Sequence, residues 1–131
     1  MLFRSATRWA AWIADAELER PRTDLGQNGF TVTALQAAWH AIVTTSAPEG
    51  SGFAGRDHLV AALQAAVAIG GDTDTVAAVT GGLAGALYGL GAIPARWTDR
   101  LHVPLPGWPD TILRRDELTT LARRLLERST E

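Results

Sequence analysis

The chain contains no cysteine and no lysine, few aromatic residues, and no marked excess of charge of either sign. Without cysteine there is no disulfide, no thiolate nucleophile and no cysteine-ligated zinc. A formal net charge of -2 gives no global attraction for nucleic acid or acidic membrane, so neither is expected as a partner. All 12 basic residues are arginine, which reads as a composition bias, with arginine clusters that hold phosphate as a second reading. A signal peptide is not expected, because Arg8, Asp15 and Glu17 interrupt any apolar run after Met1-Leu2-Phe3-Arg4, and a cytoplasmic location follows as the expectation. The long uncharged stretch from Thr75 to Ala95 carries Gly81, Gly82, Gly85, Gly89 and Gly91 and has no flanking membrane anchor. It therefore reads as a buried helix and not as a membrane span. No segment keeps up the apolar–polar alternation of a strand.

A length of 131 residues with 47% hydrophobic content predicts one domain, 1–131, with a modest core. Its elements read as helices. Leu2, Ala6, Trp9, Ile13 and Ala16 recur at spacings of four and three, one helix face, and Arg20-Pro21 ends that segment. Residues 22–30 form a loop with Gly26, Asn28 and Gly29. A second helix is expected over Val32–Thr45, with Leu35, Ala38, Trp39, Ile42 and Val43 inward. After a loop over 46–55, a third runs from Arg56 to Ile69 on Leu59, Leu63, Ala66 and Val67 and stops at Gly70-Gly71. A fourth covers Asp74–Leu90, Pro94 opens a short fifth, Val103–Pro109 is extended, and a last helix spans Asp116–Arg128 with a leucine-rich face. The class is all-α.

In the fourth helix Gly81, Gly85 and Gly89 share a face. Each interior glycine costs about 1 kcal/mol relative to alanine, so the stripe predicts a central helix against which other backbones pack closely. Such a helix would hold its first turn rigid. That turn, Gly70-Gly71-Asp72-Thr73-Asp74-Thr75, is the most informative run in the chain. Helix capping by Asp72 or Thr73 is one reading. Four oxygen-bearing side chains are more than one cap requires, however. Two nearby carboxylates with no basic neighbour repel each other, and a divalent cation relieves the repulsion. Carboxylate and hydroxyl oxygens together suit Mg²⁺ or a similar hard ion. The residues by themselves identify no substrate and no reaction.

From Gly29 to Leu126 the chain resembles the ADP-ribosylglycohydrolase family, which includes the dinitrogenase reductase-activating glycohydrolase. The resemblance rests on Gly29-Phe30-Thr31-Val32-Thr33-Ala34-Leu35, on Ala66–Thr75, on the Gly81–Gly89 segment and on Ile93-Pro94-Ala95-Arg96-Trp97. It implies an orthogonal helical fold, a binuclear Mg²⁺ centre (Mn²⁺ in some members), and hydrolysis of the bond joining ADP-ribose to an acceptor. It also implies that Asp72, Asp74 and Thr75 are metal ligands. Asn28, Gly29, Phe30 and Gly71 would border the cleft for ADP-ribose or an ADP-ribosylated substrate, although Gln27-Asn28 departs from the small or hydroxyl residues expected there.

The resemblance covers the carboxy-terminal part of the family pattern. The family's amino-terminal glutamate and Thr-Asp-Asp ligands have no counterpart in Met1–Leu25. Since Mg²⁺ prefers about six oxygens, the expectation is a site completed by a complementary chain, which would also cover apolar surface including some of Trp9, Trp12 and Trp39. The general base would come from that half. The alternatives are a non-catalytic helical interaction module with weak metal binding, and a homo-oligomer that rebuilds a site from identical parts. His40, His58 and His102 are read as structural or surface residues, Arg114-Arg115 and Arg123-Arg124 as a solvated face, Trp97 and Trp108 as packing anchors, and Tyr88 as core.

Overall fold

The computed structural model describes residues 6–46 and 54–129, and the chain divides into two compact units, Met1–Ala92 and Ile93–Glu131. Leu2 of the first apolar face lies outside the described residues. The first unit contains α1 (Ala6–Ala16), a 3-10 turn (Arg22–Leu25), α2 (Thr31–Val43), α3 (Ala54–Ile69), α4 (Thr73–Tyr88) and a second 3-10 turn (Leu90–Ala92). No helix among the described residues is long and apolar enough to cross a membrane.

The core of this unit is built largely from alanine. Ala34, Ala37, Ala38 and Ala41 of α2 pack with Leu25, Ala66, Ile69 and Val76. Side chains this short allow neighbouring helices to approach closely. The buried face of α2 is thus turned toward its alanines. Leu35 and Trp39 are only half-buried, and Val43 is exposed. On α3, Leu59, Ala62 and Ala66 are buried as the periodicity requires, whereas Val67 faces solvent.

Helix α4 packs against both α2 and α3, and no other backbone comes close to its glycines among the described residues. Its buried stripe is Val76, Thr80 and Ala84, spaced by four. The Thr80 hydroxyl donates to the Val76 carbonyl at 2.8 Å, so its burial leaves no orphaned polar group. Gly81 meets only the Leu63 side chain at ordinary contact distance, and around Gly82, Gly85 and Gly89 there is open space. The expected close backbone approach at the glycine stripe is therefore overturned among the described residues. The glycine line lies roughly a quarter-turn or more around the helix from the buried stripe.

Two histidines join the helices. His40 is buried, and its Nδ1 lies 2.9 Å from the Ala16 carbonyl, so that nitrogen carries a proton and ties the end of α1 to α2. His58 Nε2 lies 3.1 Å from the Ile42 carbonyl and 2.9 Å from that of Thr45. Two acceptors require Nε2–H, which leaves Nδ1 to accept from the Tyr88 hydroxyl at 2.9 Å. One imidazole thereby links α2, α3 and α4. Gly55 makes room for this arrangement, because a Cβ there would stand 2.9 Å from Tyr88 Cδ1. On the α1 side, Gln36 Nε2 donates to the Trp12 carbonyl and to Asp15 Oδ2, and Trp39 Nε1 donates to Glu17 Oε1. Trp9 and Trp12 meet edge to face at 5.0 Å, and all three tryptophans are half-buried.

In the second unit Pro94 precedes α5 (Ala95–Thr98), as the fixed φ of proline favours. A small antiparallel hairpin follows, β1 (Val103–Leu105) and β2 (Trp108–Leu113), pairing Val103 with Leu113 and Pro104 with Ile112. The register shifts between Pro104 and Leu105, and the turn is made by Pro106 and Gly107 at φ +84°. The sequence reading foresaw the extended 103–109 segment but no pairing, because three prolines and a short return strand hide the alternation. The class remains all-α. Trp108 is 63% exposed, contrary to the expectation of a packing anchor. Helix α6 (Arg115–Ser129) starts with the Arg114 amide donating to Glu117 at 3.0 Å, half of a capping box. Its leucines 121, 125 and 126 are exposed.

Candidate functional site

The turn between α3 and α4 is shaped by its glycines. Gly70 and Gly71 have φ of +84° and +73°, the left-handed region that glycine reaches without strain. Gly70 has open space where a Cβ would stand. Gly71 does not: a Cβ there would lie 2.2 Å from the Gly26 carbonyl oxygen and 2.6 Å from Asn28 Oδ1. The turn is thus pressed against the 26–28 loop at a distance that only glycine permits.

Asn28 holds the two loops together. Its side chain is 1% exposed. Nδ2 donates to the Leu25 carbonyl at 2.8 Å and to the Gly70 carbonyl at 3.0 Å, and Oδ1 accepts from the Asp72 amide at 2.8 Å. Both amide protons and one carbonyl lone pair are engaged by backbone groups, and the bonds to Gly70 and Asp72 straddle Gly71. Sequence reasoning placed Asn28 at the cleft border and missed this clamp. A buried asparagine between two glycines has no distinguishing pattern in a sequence, and only the fold brings residues 28 and 72 together.

Asp72 occupies the position before α4, yet its carboxylate makes no capping hydrogen bond. Capping was the competing reading of the run, and for Asp72 the structure does not realise it. The Asp72 carbonyl accepts the first helical bond, from Val76 N–H at 3.1 Å. The carboxyls of Asp72 and Asp74 are in hydrogen-bonding contact. That contact, with the backbone amides of Asp74 and Thr75, holds the Asp74 carboxyl below its ordinary value. Asp74 and Thr75 are exposed, and Asp72 and Thr73 are half-buried. Neither carboxylate takes part in an ion pair among the described residues.

Of the residues picked from the sequence, the structure brings together Asn28, Gly71 and Asp72 by direct contact, and Asp74 and Thr75 by the first turn of α4. Gly29 and Phe30 follow Asn28 in the chain. Gly29 has free space about it, and Phe30, 81% exposed, precedes α2 and accepts the Ala34 amide on its carbonyl. The oxygen donors fit a hard divalent cation such as Mg²⁺ or Mn²⁺ in kind: two adjacent carboxylates without a basic partner and one free hydroxyl. Three side chains offer fewer ligands than the about six oxygens that Mg²⁺ prefers.

The chain is 36% identical over 83 residues to an ADP-ribosylarginine hydrolase, Tri1, of Serratia proteamaculans (strain 568), covering 63% of this chain and 20% of that protein. It is 43% identical over 61 residues to the ADP-ribosylhydrolase ARH3 of Danio rerio, covering 47% of this chain and 14% of the relative. The matched stretches are therefore a fifth or less of those relatives' lengths. No solved structure matches. The family model for ADP-ribosylglycohydrolase matches residues 2–131, the turn and the helices that hold it included, and the chain belongs to the ADP-ribosylglycohydrolase family.

Proposed function

We propose that this chain supplies one part of a metal-dependent glycohydrolase site that cleaves the bond between ADP-ribose and its acceptor. The observation that carries the reading is the Asp72 carboxylate: it sits at a helix start, makes no capping hydrogen bond, and lies beside Asp74 on a turn that Asn28 and Gly71 hold in place. Asp72, Asp74 and Thr75 are the residues that would hold the ions. When bound, a pair of divalent cations supplies positive charge that orients the ribose hydroxyls and the attacking water. The chain's own part is to present three oxygens without reorganisation, which lowers the cost of assembling the site. Gly29 and Phe30 border the cleft, and the exposed Phe30 ring offers an apolar face to ADP-ribose two residues beyond the clamp.

Two carboxylates do not complete two coordination spheres, so a complementary segment supplies the remaining acidic ligands and the general base. Calorimetry with Mg²⁺ tests the metal assignment. Wild type gives a binding heat, and Asp74→Ala and Asp72→Ala reduce or abolish it; equal heats for all three reject the assignment. Hydrolysis of ADP-ribosyl-arginine with Mg²⁺ tests the need for a second segment. The expected result is no turnover by this chain alone and turnover when a segment carrying the glutamate and the Thr-Asp-Asp ligands is added. Turnover by the chain alone rejects that requirement.

A further inference from the structure

We propose that Asn28 is the positioning residue of the carboxylate turn: by taking the Asp72 amide on its own side chain, it sets the divalent-ion affinity of the site before any ion arrives. The inference rests on the reading of Asp72, Asp74 and Thr75 as metal ligands.

At an ordinary helix start an aspartate turns its carboxylate onto the free amides of the first turn. That orientation would direct the Asp72 oxygens at the backbone and away from an ion. Here the cap is absent, and the Asp72 main chain is held from outside the helix, by a residue 44 positions earlier. The side-chain amide of Asn28 pairs with the peptide groups on either side of Gly71, donating to the Gly70 carbonyl and accepting from the Asp72 amide. Its second amide proton goes to the Leu25 carbonyl. The task needs two donors and one acceptor at fixed spacing, which an asparagine amide supplies. Aspartate at this position would set a carboxylate oxygen against two carbonyls, and alanine would supply nothing. Burial excludes water from replacing the bonds. Gly71 closes the arrangement, since a side chain there would displace Asn28 Oδ1. The clamp therefore fixes the main chain that carries the first carboxylate without using the carboxylate itself.

The test is a Mn²⁺ titration of the full chain, followed by the electron paramagnetic resonance signal of the free ion. Wild type, Asn28→Ala and Leu59→Val are compared. Leu59 is buried in α3, so Leu59→Val lowers folding stability without touching the turn. Asn28→Ala is expected to weaken Mn²⁺ binding about tenfold while Leu59→Val retains the wild-type affinity; both keep the helical circular dichroism. If folded Asn28→Ala binds Mn²⁺ as wild type does, or Leu59→Val loses as much affinity, the positioning role is overturned and the ligand assignment stands. Absence of Mn²⁺ binding by wild type overturns the ligand assignment and the inference with it. Amide hydrogen exchange on wild type covers the case in which Asn28→Ala does not fold. The Asp72 amide is expected to be protected in metal-free protein, and protection that appears only on adding Mn²⁺ overturns the preformed clamp.

Discussion

Replacing each glycine of the turn by alanine separates backbone strain from steric contact. Gly70 and Gly71 are neighbours with nearly the same left-handed conformation, at φ +84° and +73°. Forcing a Cβ into that region costs about 1–2 kcal/mol, and for Gly70→Ala nothing adds to it, because no atom stands within 4 Å of the new methyl. Gly71→Ala carries the same strain and two collisions, 2.2 Å to the Gly26 carbonyl oxygen and 2.6 Å to Asn28 Oδ1. The first partner is backbone, so relief requires the two loops to separate. Separation breaks the bond from the Asp72 amide to Asn28 Oδ1, worth about 1 kcal/mol net, and leaves a buried polar atom unpaired at about 1–3 kcal/mol. The expected totals are about 1–2 kcal/mol for Gly70→Ala and about 3–6 kcal/mol for Gly71→Ala, the second a large share of an ordinary folding free energy of about 5–15 kcal/mol. Urea unfolding followed by circular dichroism reads the difference. With a slope of about 1–3 kcal/mol per molar urea, the two midpoints should differ by roughly 1 M. Equal midpoints would refute the argument, because they would mean that the 26–28 loop does not press on Gly71.

Gly85→Ala should stabilise the chain by about 0.5–1 kcal/mol, since the helix gains a better former and the methyl meets open space; a lower thermal midpoint would show that another backbone does lie against the glycine stripe. Tyr88→Phe removes the hydroxyl that donates to His58 Nδ1 and should cost about 1 kcal/mol in thermal unfolding, with the ring packing kept. Leu59→Ala, at a buried site in α3, should cost about 2–5 kcal/mol by chemical denaturation, and a cost below 1 kcal/mol would place Leu59 outside the core. Phe30→Ala should leave stability within about 0.5 kcal/mol of wild type, because the ring is exposed; its effect should appear only in ADP-ribose binding measured by calorimetry on the completed site.

The helices could be read from the sequence because their signals are local. Apolar spacing, Pro21 and Pro94, and the Gly70-Gly71 stop are facts about a few consecutive residues, and the observed boundaries of α2, α3, α4 and α6 lie within two residues of the expected ones, whereas α1 ends at Ala16, short of Arg20-Pro21, and α5 ends at Thr98, short of the expected Leu101. The carboxylate turn was legible for the same reason: Asp72, Asp74 and Thr75 are sequence neighbours whatever the rest of the chain does. The rotation of each helix was less so. On α2 the alanines 34, 37, 38 and 41 face inward while Val43 does not, and on α4 the buried line is 76, 80 and 84 while the glycines face open space. Small and apolar residues occur on several faces of these helices, so periodicity leaves the inward direction undecided until a neighbour is in place.

The sequence alone therefore determined the all-helical class, the family, and the oxygen donors gathered at one helix start, since each depends on residue identity over short spans. Only the tertiary structure decided that Asp72 is left uncapped and that Asn28, from another loop, holds it there. A hydrogen bond between residues 28 and 72 exists because α2, α3 and α4 pack in one arrangement, and that arrangement is a property of the whole unit rather than of any stretch within it.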